Sequence, residues 1–278
     1  MRSVSFSRDR PITALSRLDS ARVLPAAVPV ARVSQPRSVV AVRVAKVPCS
    51  SCRQRAGCLP AELTGDELAH MDGRLVAGRR RLAHGESLFQ AGDRFDTVFA
   101  VWTGFFKTVV ATRQGREQVT SFQMAGELLG LDGIAAGRHE VDAIALEDSQ
   151  VCVIPYAELQ TLANKMPSLQ RQFNRLMSRE IVNDLSAMVQ LGSMHAEERV
   201  AAFLLDLTHR LQARGFSASS VLLRMSREEM GSFLGLKLET VSRTLSKFQA
   251  SGLLFVRQRQ IGITDPTGLQ QLLDGATA

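Results

Sequence analysis

The sequence predicts an α+β chain built from a small antiparallel β-barrel or jelly roll, one long helix and a C-terminal winged helix-turn-helix. Three observations carry this expectation. From Leu75 to Tyr156, short alternating segments are broken by glycine turns at Gly85-Glu86, Ala91-Gly92-Asp93, Thr103-Gly104, Gln114-Gly115 and Ala125-Gly126-Glu127. Strands recurring at about ten-residue intervals form small barrels or jelly rolls. From Met166 to Gly192 the apolar period lengthens to three and four, and from Met225 to Phe248 two short helical patterns meet at Gly235.

The chain has 278 residues, 45% of them apolar. That allows about two domains at roughly 150 residues each and excludes a wholly disordered chain. No run approaches the roughly 18 apolar residues of a membrane helix, which points to a soluble protein. The net charge is +7, but nine of the 34 Lys and Arg and only two of the 27 Asp and Glu fall in residues 1–46. The folded remainder is therefore neutral, and net charge alone gives no support for nucleic-acid binding. Residues 1–46 carry Pro11, Pro25, Pro29 and Pro36 with no sustained period, which reads as a disordered basic extension. Their Arg-rich, acid-poor composition is shared with organelle transit peptides, and a native start further down the chain is a third reading.

Three of the four cysteines are packed together as Cys49, Cys52 and Cys58, with Cys152 far away. This is too sparse for a secreted disulfide framework. Short spacings let thiolates converge on one centre, with the distant cysteine completing a set of four by tertiary contact. Four thiolates suit either tetrahedral zinc or an iron–sulfur cluster, and spacing alone does not separate them. Flanking Arg53 and Arg55 are placed to offset thiolate charge. The bland alternative makes Cys152, within Val151-Cys152-Val153-Ile154, a small buried hydrophobe.

Leu169, Phe173, Leu176, Met177, Ile181, Leu185, Met188 and Leu191 mark a helix of roughly 40 Å, suited to pairing with its own copy. Glu180 and Asp184 lie beside the stripe, where they would face their two-fold copies and repel. Glu197 to Arg214 reads as another amphipathic helix. Ser226 followed by Glu229 is a capping box, and Gly235 falls where a tight interhelical turn needs positive φ. The next helix turns Val241, Leu245 and Phe248 inward and Glu239, Ser242, Arg243 and Lys247 outward. Gly252 ends it, and Leu253 to Val256 with Gln260 to Thr264 makes a winged hairpin. Between Arg224 and Arg259 there are seven bases against three acids, a local excess that favours phosphates.

In this order, the cysteine cluster, barrel, long helix and winged helix-turn-helix closely resemble the fumarate and nitrate reduction regulators, bacterial transcription regulators of the cAMP-receptor-protein superfamily. The resemblance covers about Pro48 to Leu273. It is carried by the cysteine spacing and by Leu88-Phe-Gln-Ala-Gly-Asp93, Gly126-Glu-Leu-Leu-Gly130, Cys152-Val-Ile-Pro155, Ala196-Glu-Glu-Arg-Val-Ala-Ala-Phe203 and Glu239-Thr-Val-Ser-Arg243. It implies a cyclic-nucleotide-binding-like β-barrel and a [4Fe-4S] cluster on Cys49, Cys52, Cys58 and Cys152 that oxygen converts. Ile181 and Asp184 would balance apolar contact against carboxylate repulsion in a homodimer. Glu239, Ser242 and Arg243 would read palindromic TTGAT-type sites in double-stranded DNA, Arg243 gripping guanine and Glu239 accepting from cytosine. RNA polymerase is the further partner implied, and the cytoplasm the location. The superfamily's phosphate-binding Arg-Ser pair is replaced by His139-Glu140, and a carboxylate facing a phosphate argues against cAMP.

The expected division is 1–46 basic extension, 47–165 cysteine cluster and β-barrel sensory domain, 166–192 dimerisation helix, and 193–278 DNA-binding domain. Two other functions compete, a zinc-stabilised regulator without redox sensing and an iron–sulfur electron carrier. The latter would leave the helix-turn-helix unexplained, and no dinucleotide, Walker or Ser/His/Asp arrangement suggests an enzyme.

Overall fold

Eight short strands, two of the central ones buried along most of their length, pair into two four-stranded antiparallel sheets. A computed structural model describes residues 48–111, 115–217 and 219–275, so the basic segment 1–46 and Gln114 lie outside the described residues. The first sheet has the order β1-β8-β3-β6, from β1 (Gly78–Leu82), β8 (Ser149–Pro155), β3 (Thr97–Thr103) and β6 (Leu128–Leu129). The second has the order β2-β7-β4-β5, from β2 (Ser87–Phe89), β7 (Asp142–Ala145), β4 (Phe105–Ala111) and β5 (Glu117–Met124). Leu82, Leu88, Phe99, Phe106, Leu129, Ala143 and Val151 of both sheets share one core, the jelly roll expected from the turn spacing.

Each sheet is also covered on its outer face. Over the first sheet lie the cysteine segment, α1 (Gly65–Met71), α2 (Tyr156–Lys165) and the start of α3 (Pro167–Ser193), packed around Leu59, Met71, Ile154, Leu162, Leu169 and Phe173. A reciprocal capping box between Thr64 and Glu67 opens α1, and Pro167 opens α3 where a missing amide costs nothing. Over the second sheet lies the C-terminal domain. Phe105, Val119 and Phe122 of the barrel join Phe203, Leu207, Met230 and Leu234 in a single cluster, with the Phe122 and Phe233 rings 5.3 Å apart.

The C-terminal domain comprises α4 (Ala196–Gln212), β9 (Ser220–Leu222), α5 (Arg227–Leu234), α6 (Leu238–Ala250), β10 (Leu254–Arg257), β11 (Gln260–Ile263) and α7 (Pro266–Asp274). The hairpin predicted for the wing is the β10–β11 pair. It gains a third strand, β9, on the β11 edge. Among the described residues, no helix is long and apolar enough to cross a membrane.

The long helix follows its predicted stripe but divides it. Leu169, Phe173 and Leu176 are buried against their own chain, whereas Ile181, Val182, Leu185, Met188 and Val189 are exposed, Ile181 by 61% and Met188 by 68%.

Candidate functional site

Two short 3₁₀ turns, Cys49–Ser51 and Arg55–Gly57, shape the segment that carries the first three cysteines. The Cys52 and Cys58 amides close these turns on the carbonyls of Cys49 (3.1 Å) and Arg55 (3.2 Å). Asp72, just past α1, holds the segment down. Its carboxylate accepts from the Cys49 amide at 2.7 Å and from the Ser50 hydroxyl at 2.5 Å. At the other end, the buried Gln172 of α3 donates to the Cys58 carbonyl at 3.1 Å.

Cys152 arrives from β8, opposite Arg79 on β1 and Ala100 on β3. With Cys49 and Cys58 it packs against the apolar cluster beneath α3. All four cysteines are free and half-buried. Burial pushes the Cys49 thiol up to about 12, with Cys152, Asp72 and Cys52 adding to the rise. Burial also pushes Cys58 up to about 12, opposed by the Leu59 amide and reinforced by Cys49, Cys152 and Cys52. Cys152 is raised by burial and by Cys52, against the hydrogen bond and charge of Arg79. Every pair among the four thiols therefore lies within electrostatic reach. Among the described residues, no three His, Cys, Asp or Glu side chains close in tightly enough to hold a metal ion.

The donor set fits a thiolate-ligated group. Four soft sulfur ligands unspent in disulfides come from two distant segments to within electrostatic reach of one another, three of them in apolar surroundings, beside one cation. That cation is Arg79, and of the two flanking arginines suggested by the sequence, Arg53 and Arg55, the second is occupied elsewhere. Arg55 is turned to the carbonyls of Pro60 and Leu63, at 3.3 and 3.0 Å. The Arg79 guanidinium lies 3.6 Å from the centre of the Trp102 ring, which fixes its direction. Only the β1–β8 register brings Arg79 to Cys152, and strand pairing of that range has no local sequence signal.

On α3, Ile181 and Asp184 are both exposed on the uncovered half of the helix. Burial raises the Asp184 carboxyl. Glu180 is raised by burial, then by Glu127 and Asp184, with Arg210 opposing. Apolar and acidic groups thus share this surface before any second copy approaches.

The helix-turn-helix forms as its sequence dictates. The Ser226 hydroxyl accepts from the Glu229 amide at 3.1 Å, the Glu229 carboxylate accepts from the Ser226 amide at 2.7 Å, and Gly235 adopts φ 64°. Val241, Leu245 and Phe248 are buried, and Glu239 and Arg243 are exposed. Ser242 is half-buried, its hydroxyl accepting from Arg227 at 3.4 Å. Lys247 is exposed, as expected, and pairs with Glu197 of α4 at 2.6 Å.

The position of the superfamily's phosphate pair is filled differently. His139 is buried and stacks on Phe89 with ring centres 3.7 Å apart, while Asp132 approaches it at 3.4 Å and accepts the Glu140 amide at 2.7 Å. Burial opposes the Asp132 charge, but the His139 and Glu140 hydrogen bonds prevail and lower its pKa.

Comparison with known proteins agrees with this architecture. Residues 79–166 match the cyclic nucleotide-binding domain family, and residues 198–272 match the Crp-like helix-turn-helix domain. The transcriptional regulatory protein btr of Bordetella pertussis is 44% identical over 81% of this chain and 93% of its own length. The transcriptional activator protein anr of Pseudomonas aeruginosa is 43% identical over 82% of this chain and 93% of its own. The fumarate and nitrate reduction regulatory protein of Escherichia coli K12 is 41% identical over 81% of this chain and 89% of its own. The structure of FixK2 from Bradyrhizobium japonicum superposes with a TM-score of 0.65 at 31% identity, covering 71% of this chain and 98% of that one.

Raised thiol pKa values have a direct signature in the metal-free protein, because only the thiolate is alkylated. At pH 9, with a pKa of about 12, Cys49 and Cys58 are ionised to only about one part in a thousand. Their iodoacetamide labelling, followed by peptide mass spectrometry, should keep rising about tenfold per pH unit beyond pH 10. A plateau near pH 9 at both residues would show that they are not packed as described.

Proposed function

Because the chain belongs to the family of fumarate and nitrate reduction regulators, we propose that it is an oxygen-responsive transcription regulator, dimeric and DNA-bound when a [4Fe-4S] cluster is intact. It is a transcription regulator with a helix-turn-helix DNA-binding domain and not an enzyme. The observation that carries the finer reading is that Cys49, Cys52, Cys58 and Cys152, all free, lie within electrostatic reach of one another, with Cys49, Cys58 and Cys152 packed in the apolar cluster that includes the first turns of α3. These four residues would hold the cluster, which supplies an oxygen-reactive centre when bound. RNA polymerase is the further partner of this reading, and the cytoplasm its location.

The chain's own residues link that centre to the dimer helix. Gln172 holds the Cys58 carbonyl, Ser168 donates to Glu67 of the α1 capping box, and Arg175 pairs with Glu62. A shift of the cysteine segment therefore reaches α3 directly through Gln172, while Ser168 and Arg175 tie the helix to α1 and the residues leading into it. Further along, the exposed Ile181, Leu185 and Met188 favour pairing with a second copy, and Asp184 and Glu180 oppose it. A helix balanced in this way lets a modest change at its start decide whether two copies join.

In the dimer, two α6 helices one DNA turn apart would read the halves of a palindromic TTGAT-type site. Arg243 can span guanine O6 and N7, Glu239 can accept from cytosine N4, and Ser242 can contact an adjacent base edge. Cyclic nucleotide is not the signal on this reading. His139 fills its position between aromatic rings, and Asp132 and Glu140 add negative charge where a phosphate would sit.

The deciding experiment is purification under nitrogen. The protein should be brown, and on admission of air its visible absorbance, dimer fraction and DNA affinity should fall together. A colourless protein holding stoichiometric zinc would overturn the sensing reading. Asp184→Ala should raise the dimer fraction in air, measured by sedimentation, because it removes the repulsion and leaves the apolar stripe. Arg243→Ala should cost about 1–3 kcal/mol on the specific site and relax the guanine preference. An equal loss on every sequence would assign Arg243 to phosphate instead.

A further inference from the structure

The end of α3, the start of α4 and the turn between α5 and α6 meet at one side chain. The Arg199 guanidinium donates to the Leu191 carbonyl in the last turn of α3 (2.7 Å), to the Met194 carbonyl in the linker (2.9 Å) and to the Leu234 carbonyl at the end of α5 (3.1 Å). Leu191 and Leu234 belong to helix C-termini, where carbonyls lack intrahelical partners and carry partial negative charge. A cation joining two such ends is favourable for each. Nε, Nη1 and Nη2 of the planar fork each serve one of three separated carbonyls, whereas the three donors of a lysine share a single nitrogen.

The packing at this point is close. A Cβ on Gly235 would stand 3.0 Å from Cδ2 of Leu191 and 3.4 Å from Nη1 of Arg199, and the residue has φ 64°. Glycine therefore serves both the turn and the approach of α3. Two residues earlier on α4, Glu197 holds Lys247 of α6 at 2.6 Å. The orientation of α6 is thus tied to the end of α3 through Leu234, Gly235 and Lys247, with Arg199 at the centre.

We propose that Arg199 is the positioning residue that sets the recognition helix at a fixed angle to the dimer helix, and so restricts the dimer to one spacing of DNA half-sites. This rests on the dimeric, DNA-reading function proposed above. Arg199 touches no base. It acts on the relative placement of two α6 helices, so its effect belongs to spacing and not to half-site sequence.

The test compares two duplexes carrying the same half-sites, one with the native centre and one with two base pairs inserted there. Affinities are measured under nitrogen on samples whose dimer content is known from sedimentation. The wild-type protein should prefer the native spacing. Arg199→Ala should remain folded and equally dimeric, lose about tenfold on the native spacing, the size of one charge-assisted hydrogen bond, and lose little on the lengthened one. Arg199→Lys should behave in the same way despite keeping the charge, and it serves as the second variant should Arg199→Ala fold poorly. Leu191→Ala, which opens the contact with Gly235 but leaves the guanidinium in place, should shift the ratio in the same direction by less. An equal loss on both duplexes, an unchanged ratio, full rescue by lysine, or a fall in dimer content would each overturn the proposal. A wild-type protein indifferent to spacing would overturn the dimeric reading itself and this proposal with it.

Discussion

The 27-residue helix α3 carries an apolar stripe along its whole length of about 40 Å, yet its own chain covers only the first three turns. Burying one large aliphatic side chain is worth about 1.5–3 kcal/mol, so the exposed run from Ile181 to Val189 represents a substantial unspent driving force. Asp184 and Glu180 sit within the same surface, and two carboxylates brought close near a protein surface repel by about 4 kcal/mol. One such carboxylate pair offsets the burial of only one or two of these side chains, so the repulsion weakens pairing without cancelling it. Gln172, Ser168 and Arg175, which bind the cysteine segment and the neighbouring chain to the helix start, lie on the covered half. The contacts to the cysteine segment and the exposed apolar run thus occupy opposite halves of one helix.

The DNA-binding domain is anchored by a different surface. Phe122 of β5 packs against Phe203 and Phe233, Lys107 pairs with Glu229 at 2.8 Å, and the Val119 amide reaches the Ser232 hydroxyl at 2.9 Å. These contacts engage α4 and α5 and leave Glu239 and Arg243 of α6 exposed. Glu229 contributes twice, as the α5 cap and as the partner of Lys107. Burial opposes its charge, but the Lys107 and Ser226 hydrogen bonds hold its pKa below the ordinary carboxylate value. One carboxylate therefore joins local helix initiation to the docking of the whole domain.

What could be read from the sequence was local in origin. The Ser226–Glu229 cap, the positive φ of Gly235 and the inward Val241, Leu245 and Phe248 depend on neighbours a few residues away, and each occurs as its pattern dictates. The period of α3 was equally legible. Which half of its stripe is covered was not, since that depends on how far the barrel extends along it. Arg79 and Arg199 carried no signal because strand register and helix junctions bring them to their partners. The strand β9 has three residues, too few for an alternating pattern to show. Lys247 does point away from the helix core, as its position suggests, but Glu197 from another helix meets it there.

The same distinction limits what a charge count can say about DNA. Within the basic stretch Arg224–Arg259, Arg224 pairs with Glu147, Lys247 pairs with Glu197, and Arg227 is turned to Ser242. Arg210 and Arg214 are held on Glu127 and on barrel carbonyls. The exposed basic residues that remain in the stretch are Lys237 and Arg243 on the recognition helix and Arg257 and Arg259 on the wing. The wing pair flanks Gln258, whose φ of 57° turns the hairpin between β10 and β11. Two cations on the helix and two at a hairpin tip match a helix seated in the major groove with its wing on the adjacent backbone. What the surface offers a phosphate backbone is set by where these four side chains stand, which the neutral charge of residues 47–278 neither reveals nor contradicts.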